Sequence, residues 1–365
     1  MGGSCSRPGS WLRAGRTCRF VSLLLVLESC ATVHPPRVVD QRVLACRQVV
    51  PEPQQAVSWI APAADRDRTR LAEWCAAVGP VLFDPRPVTE AHSARPLDCL
   101  AIVSWNTHVG GGDIDRLIAG LRTGALGGRG CDDVVLLLQE VYRSGGGVPE
   151  RPPPYAAIPG RIAIGSHRAH RQDVAAVARR FGMALLYVPA MRNGIAAGDP
   201  EDRGNAILST LPLSDAGVVE LPFEGQRRVA AAATIAGRTS SGAGWQLRLV
   251  TVHLDTALAF TRGGPFRARA RQAEGLISAV GERPAAAIIA GDFNSWLGAS
   301  EPAVERLLRA FPLAPPVSLP TWTGLLGLRA PLDHVFARGE LRVTVQRLPG
   351  RFGSDHFPLL AVVDF

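Results

Sequence analysis

Short apolar runs that end in polar tips recur along this chain. Leu100-Ala101-Ile102-Val103 leads into Ser104-Trp105-Asn106, residues 134–138 lead into Gln139-Glu140, and residues 247–252 end at His253. Ala287-Ile288-Ile289-Ala290 opens through Gly291 into Asp292-Phe293-Asn294, and Leu332-Asp333-His334 and Gly353-Ser354-Asp355-His356 follow nearer the C-terminus. A brief apolar run bounded by turn residues reads as a buried strand, and further strands are expected over 184–188, 206–209, 229–235 and 359–363. Periodicity near 3.6 predicts helices over 114–121, 168–181, 266–280 and 302–310. Another is expected over 65–78, with Leu71, Trp74, Cys75 and Val78 on one face. Strands alternating with helices define an α/β class, and chain order then brings carboxylates, amides and imidazoles to one rim of a sheet.

Each polar tip has a plain structural alternative. An asparagine after an apolar run commonly caps a turn, a glutamate at a strand end is usually a solvated rim residue, and Asp333 could cap a strand start. Together, in this order, the tips are better explained by one metal-assisted hydrolytic site. Phosphoesters resist attack because their anionic oxygens repel a nucleophile, so a site needs a divalent cation, an activated water and a stabiliser for the leaving oxygen. Glu140 with Asn106 offers hard oxygen donors suited to magnesium or manganese. Asp292 can orient or deprotonate water, Asn294 can hold it, and His356 can meet the phosphate. His108 and His334 are read as supporting or surface residues.

The motifs Trp-Asn, Gln-Glu, Gly-Asn-Ala-Ile-Leu-Ser, His-Leu, Gly-Asp-Phe-Asn, Leu-Asp-His and Ser-Asp-His stand in this order between residues 98 and 365. In this the chain resembles the endonuclease/exonuclease/phosphatase superfamily of metal-dependent phosphoesterases. The resemblance implies a deoxyribonuclease-like fold: a two-layer β-sandwich flanked by helices, in four layers α/β/β/α. It also implies catalytic roles for His253, Asp292, Asn294, Asp333 and His356, with His253 at the leaving oxygen and Asp333 orienting His356. Asn106, Glu140 and Asp355 fall on the metal side, and Mg2+ or Mn2+ is the implied cofactor. Loss of turnover with the fold kept, as in a phosphate-binding protein, predicts an eroded set; these residues are all present.

Composition narrows the reading further. The 365 residues are 47% hydrophobic and 20% charged, a globular profile, with a formal charge of +8 that favours an anionic partner. All 40 basic residues are arginine. Arg203 and Arg228 can grip phosphate in a bidentate manner or be solvated strand-edge residues. Nucleic acid is the favoured substrate, with phospholipid, sphingomyelin-like lipid or a small phosphorylated molecule as alternatives, and a monomer is expected.

The N-terminus reads as an export signal over 1–30: arginines, a short apolar core from Phe20 to Leu27, then Leu27-Glu28-Ser29-Cys30. This is similar to a lipobox in which Cys30 takes the lipid, although Glu28 departs from the usual small residue. The expected destination is therefore a membrane-anchored lipoprotein, with a secreted or periplasmic protein as the alternative. A tether and accessory helix would fill 31–97, and the catalytic domain 98–365. Cys46, Cys75, Cys99 and Cys131 allow two disulfides in any of three pairings, or buried free thiols.

Overall fold

Two sheets packed face to face organise the chain. In chain order the strands are β1 (Gln48–Val49), β2 (Ser58–Ile60), β3 (Val81–Asp84), β4 (Cys99–Asn106), β5 (Val134–Ser144), β6 (Ala184–Arg192), β7 (Glu201–Ser209) and β8 (Ser214–Glu220). There follow β9 (Val229–Arg238), β10 (Gly244–His253), β11 (Ala287–Asp292), β12 (Trp322–Thr323), β13 (Arg329–Ala330), β14 (Asp333–Arg338), β15 (Arg342–Arg347) and β16 (Leu359–Asp364). One sheet has the order β1-β3-β6-β7-β5-β4-β16-β15 and the other β14-β11-β10-β9-β8-β2, while β12 and β13 form a separate hairpin. The helices are α1 (Asp65–Ala76), α2 (Ile114–Arg122), α3 (Val174–Phe181), α4 (Gly264–Val280) and α5 (Pro302–Ala310). This computed structural model describes residues 46–365 apart from 51–55, 63, 87–94, 127–130, 146, 152–170, 194–199, 257–263, 282–284 and 315–316. The expected export segment with Cys30, most of the 31–55 tether and residues 168–170 lie outside the described residues.

The central strands are largely apolar because both of their faces are covered, whereas the edge strand β15 alternates exposed and half-buried positions. On β4, Leu100 and Ile102 enter the core between the sheets, whereas Ala101, Val103 and Trp105 pack against α2 and α3. On β5, Val135 and Leu137 face the other sheet, and Leu136 and Leu138 face the helices. The second sheet repeats the arrangement. Leu249 and Ile288 join the inter-sheet core, and Val250, Val252 and Ile289 meet α4 and α5 through Ala273, Leu276, Val304 and Leu307. The result is the four-layer α/β/β/α sandwich.

Helix starts follow local capping. The Asp113 side chain accepts from Arg116 N ahead of α2, and Asp173 accepts from Ala176 N ahead of α3, so that helix begins at Val174 rather than at 168. Gly182, in the left-handed region, ends it. Sequence reading also missed elements. The stretch expected as tether and accessory helix carries β1, β2 and β3 as well as α1. β2 extends one sheet beside β8, and β3 extends the other beside β6. These strands are too short for periodicity to register, yet Trp59 and Phe83 are buried between the sheets. Disulfides join Cys46 to Cys75 and Cys99 to Cys131, one of the three open pairings.

Candidate active site

Register places the polar tips. Parallel pairing of β10 with β11 sets His253 opposite Asp292, and antiparallel pairing of β11 with β14 sets Asp292 opposite Asp333. In the facing sheet Asn106 of β4 lies opposite Gln139 of β5. Glu140 follows where the β5–β7 register shifts between Leu138 and Val141, and its φ is 50°. That irregularity turns the carboxylate out of the strand's alternation. Gly291 is required by close approach, since a Cβ there would collide with the Val252 carbonyl.

Asp292 is the hub of the set. Its Oδ2 accepts from Asn106 Nδ2 at 2.9 Å and lies 3.4 Å from His253 Nε2 and 3.6 Å from His356 Nε2. Its Oδ1 accepts from the backbone N–H of Asn294 at 2.9 Å, and Asn294 Nδ2 donates to the Leu254 carbonyl. Asn294 sits at φ 49°, a left-handed conformation that asparagine tolerates better than most residues. His356 Nδ1 is 2.8 Å from Asp333 Oδ2, and the Asp333 N–H donates to Thr321 Oγ1. His253 Nδ1 is 3.8 Å from Glu140 Oε1. Residues separated by as much as 250 positions therefore converge on one carboxylate, and every one of them was singled out in the sequence.

The electrostatics divide these groups. Burial pushes the Asp292 carboxyl up to about 7, with His356 pulling it down and Asp333 pushing it further up. Burial opposes charge on His356, but the Asp333 and Asp292 carboxylates prevail and raise it to about 10. His253 goes the other way, well below its ordinary value, through burial and the nearby charges of Arg228, His356 and Arg203. At neutral pH one imidazole is therefore cationic and the other neutral. Asp292, Asp333 and His356 present donor atoms within 4.8 Å of one another. Because Asp333 Oδ2 is engaged by His356 Nδ1, this trio works first as an acid–imidazole pair beside a second acid.

The wall of the site comes from loops. Asp355 Oδ1 is 2.8 Å from His108 Nδ1, and Asp355 Oδ2 accepts from Trp322 Nε1 at 2.9 Å. Burial works against the charged carboxylate of Asp355, yet the His108 hydrogen bond, then His356 and Trp322, hold it down to about 2. Ser354 Oγ donates to the Asn106 carbonyl and accepts from His356 N–H, which locks this loop to β4. His108, expected as a supporting or surface residue, supports Asp355, whereas Trp322 carries no expectation from the sequence. The nearness of His108 to Asn106 was the available signal for the first, and nothing local marks the second.

Arg203 and Arg228 are buried, not solvated at strand edges. With Glu140, Asn205 and His253 they line a small cleft that opens to solvent. Arg203 Nη2 contacts Met191 Sδ, while Arg203 Nη1 and Arg228 Nε have no hydrogen-bond partner among the described residues. Burial lowers both guanidinium groups from their ordinary value. Cationic donors left open in such a cleft suit an anion.

Known proteins agree with this architecture. The chain is 38% identical over 117 residues to the UPF0294 protein VV2535 of Vibrio vulnificus, a match covering 32% of this chain and 39% of that protein. It thus spans about two fifths of the length of the curated relatives it matches. A crystal structure of an endonuclease/exonuclease/phosphatase from Beutenbergia cavernae superimposes with a TM-score of 0.51 at 20% identity, covering 73% of this chain and 72% of that one. A family protein from Leptotrichia buccalis gives 0.49 at 15% identity, covering 73% of this chain and all of that one. Residues 103–356 match the model of the Endonuclease/Exonuclease/phosphatase family, so the chain belongs to that family, whose members hydrolyse phosphoester bonds.

Proposed function

We propose that this protein is an exported, divalent-metal-dependent phosphodiesterase. The observation that carries the reading is the position of Asp292: a carboxyl poised at about 7, within 3.6 Å of two imidazoles of opposite charge preference. Glu140 and Asp355, with the Asn106 amide oxygen that accepts from His108 N–H, would supply hard oxygen donors to the cation. The low pKa of Asp355 keeps it ionised over the working range, which suits Mg2+ or Mn2+. When bound, the cation would neutralise a phosphoryl oxygen and ease departure of the ester oxygen.

The chain's own residues do the rest. Asp292, ionised above about 7, accepts a proton from water while Asn294 holds the carboxylate in place. The water oxygen bonds to phosphorus and the P–O ester bond breaks. Cationic His356, steered by Asp333, binds the equatorial oxygens. Neutral His253, its Nε2 without a hydrogen-bond partner among the described residues, is placed to steady the leaving oxygen by a hydrogen bond, and the departing alkoxide takes its proton from solvent water. Arg203 and Arg228 hold the phosphate in the cleft beside Glu140.

Overall positive charge supports nucleic acid as the substrate class, while an apolar surface beside the site favours lipid. Export, with lipid attachment at Cys30 as its sequence expectation, draws support from two disulfides, which persist in oxidising compartments. The test is hydrolysis of bis(p-nitrophenyl) phosphate, plasmid DNA, RNA and sphingomyelin with magnesium, with and without a chelator. Turnover that the chelator abolishes and magnesium restores is expected. Turnover indifferent to the chelator, or none on any diester, overturns the reading.

A further inference from the structure

The hairpin of β12 and β13 carries leucines into water beside the site. Leu326 is 94% exposed and Leu328 60%, and Leu297 on the adjoining turn is 55% exposed. Leu326 also sits at φ 60°, a region that disfavours leucine, with Gly327 following at φ 76°. The hairpin is joined to the site directly. Trp322 Nε1 donates to Asp355, Thr323 N–H donates to the Asp355 carbonyl, and the Trp322 ring meets Trp296 edge to face at 5.3 Å. Leu297, next to Trp296, thereby continues the same apolar face.

Apart from Asp355, which the base of the hairpin contacts, the charged residues on the hairpin and on the strand tied to it are arginines. No acidic residue occurs over 319–332 or 341–354, and Arg329, Arg347 and Arg351 are exposed or half-exposed there. Arg347 Nη1 donates to the Pro320 carbonyl, which ties that basic strand to the base of the hairpin. An aromatic-and-arginine surface alone would suit stacked bases. Aliphatic tips do not stack; they gain free energy only on leaving water, and a rim of arginine around them fits anionic head groups.

We propose that this hairpin, with Trp296 and Leu297, inserts into the interface of a bilayer containing anionic phospholipid, and that the diester cleaved next to it is a lipid head group. The second half rests on the phosphodiesterase reading above; the docking does not. The full chain is mixed with phosphatidylcholine vesicles, with and without phosphatidylglycerol, whose acyl chains carry bromine to quench tryptophan emission on contact. This readout reports insertion near the hairpin even if a lipid on Cys30 brings every variant to the vesicle.

Quenching is expected, stronger with phosphatidylglycerol, and reduced in Trp296→Phe, with Trp322 of the same hairpin supplying the remainder. The Leu326→Ser/Leu328→Ser variant should need roughly a hundredfold more lipid for half-maximal quenching, with bis(p-nitrophenyl) phosphate turnover unchanged. Asp292→Asn should quench like the unmodified chain while releasing no phosphorylated head group from the same vesicles; an unmodified chain that turns over bis(p-nitrophenyl) phosphate and quenches, yet releases no head group, would leave docking standing while removing the lipid-cleavage half. Absence of quenching in the unmodified chain, equal quenching in the double variant, or a double variant that instead loses affinity for a single-stranded oligonucleotide would overturn the docking proposal.

Discussion

The floor of the site and its wall are built on different principles. The floor stands on strand ends: His253, Asp292 and Asp333 lie side by side across three hydrogen-bonded strands, so sheet register sets their spacing before any side chain chooses a rotamer. The wall is made of loops. His108 is in the left-handed region, Asp355 follows a bend, and Trp322 begins a short hairpin held by hydrogen bonds to the Asp355 loop. Floor residues are buried, and burial with nearby charges sets the proton affinities of His253 and Asp292. Wall residues are partly open to solvent and held by a few hydrogen bonds between loops. Rigidity belongs where protons move, and exposure where the substrate arrives.

If the comparison is right, the largest effects come from the floor. Asp292→Asn should lower kcat on bis(p-nitrophenyl) phosphate by about a thousandfold, within the range for loss of a general base. The same substitution should raise Tm in chelator at pH 8. In the folded chain the carboxyl binds its proton with a pKa of about 7, against 3.8 when unperturbed, so between those values the folded state holds more protons. The stability this contributes is full below 3.8 and is lost as pH rises through about 7. A fall in Tm for Asp292→Asn at pH 8 would show that the carboxylate is not strained. The rate of the unmodified enzyme should rise with pH through the same region if Asp292 is the base.

Next in size, Asp333→Asn should reduce kcat about a hundredfold by releasing His356 from its partner. It should also bring the loss of His356 charge down from about 10 toward the ordinary histidine range, visible by NMR titration. Gly291→Ala should destabilise the fold by about 2 kcal/mol in urea unfolding, because the new Cβ meets the Val252 carbonyl. The smallest effect belongs to the wall. His108→Gln should raise the magnesium concentration for half-maximal activity by less than about tenfold, since Asp355 keeps its Trp322 bond. A larger effect there than at Asp333 would invert the comparison.

The floor was legible along the chain and the wall was not, for a physical reason. Strands covered on both faces must be unbroken apolar runs, so the first polar residue after each run marks where the sheet ends. Asn106, His253 and Asp292 announce themselves in this way. Trp322 lies in a hairpin with two-residue strands, where neither periodicity nor a run exists to read. Glu201 and Asp202, which open β7 ahead of Arg203, carry no expectation from the sequence. Their buried charges are satisfied across the fold, as when Arg143 Nε donates to Asp202 Oδ1 at 2.9 Å. β1, β2 and β3 escaped because strands so short draw their stability from the edges they join rather than from their own pattern.

By itself the order of residues determined the α/β class, the ends of β4, β10 and β11, the family and the membership of the acid, amide and imidazole set, because burial and turn chemistry act over a few neighbouring positions. Tertiary structure alone decided which cysteines pair and that Arg203 and Arg228 line a cleft beside Glu140 and His253. It also decided that Asp292 holds its proton to about 7 while two histidines beside it diverge. Those properties depend on distance, burial and the field of groups remote in the chain, and no local pattern of side chains encodes them.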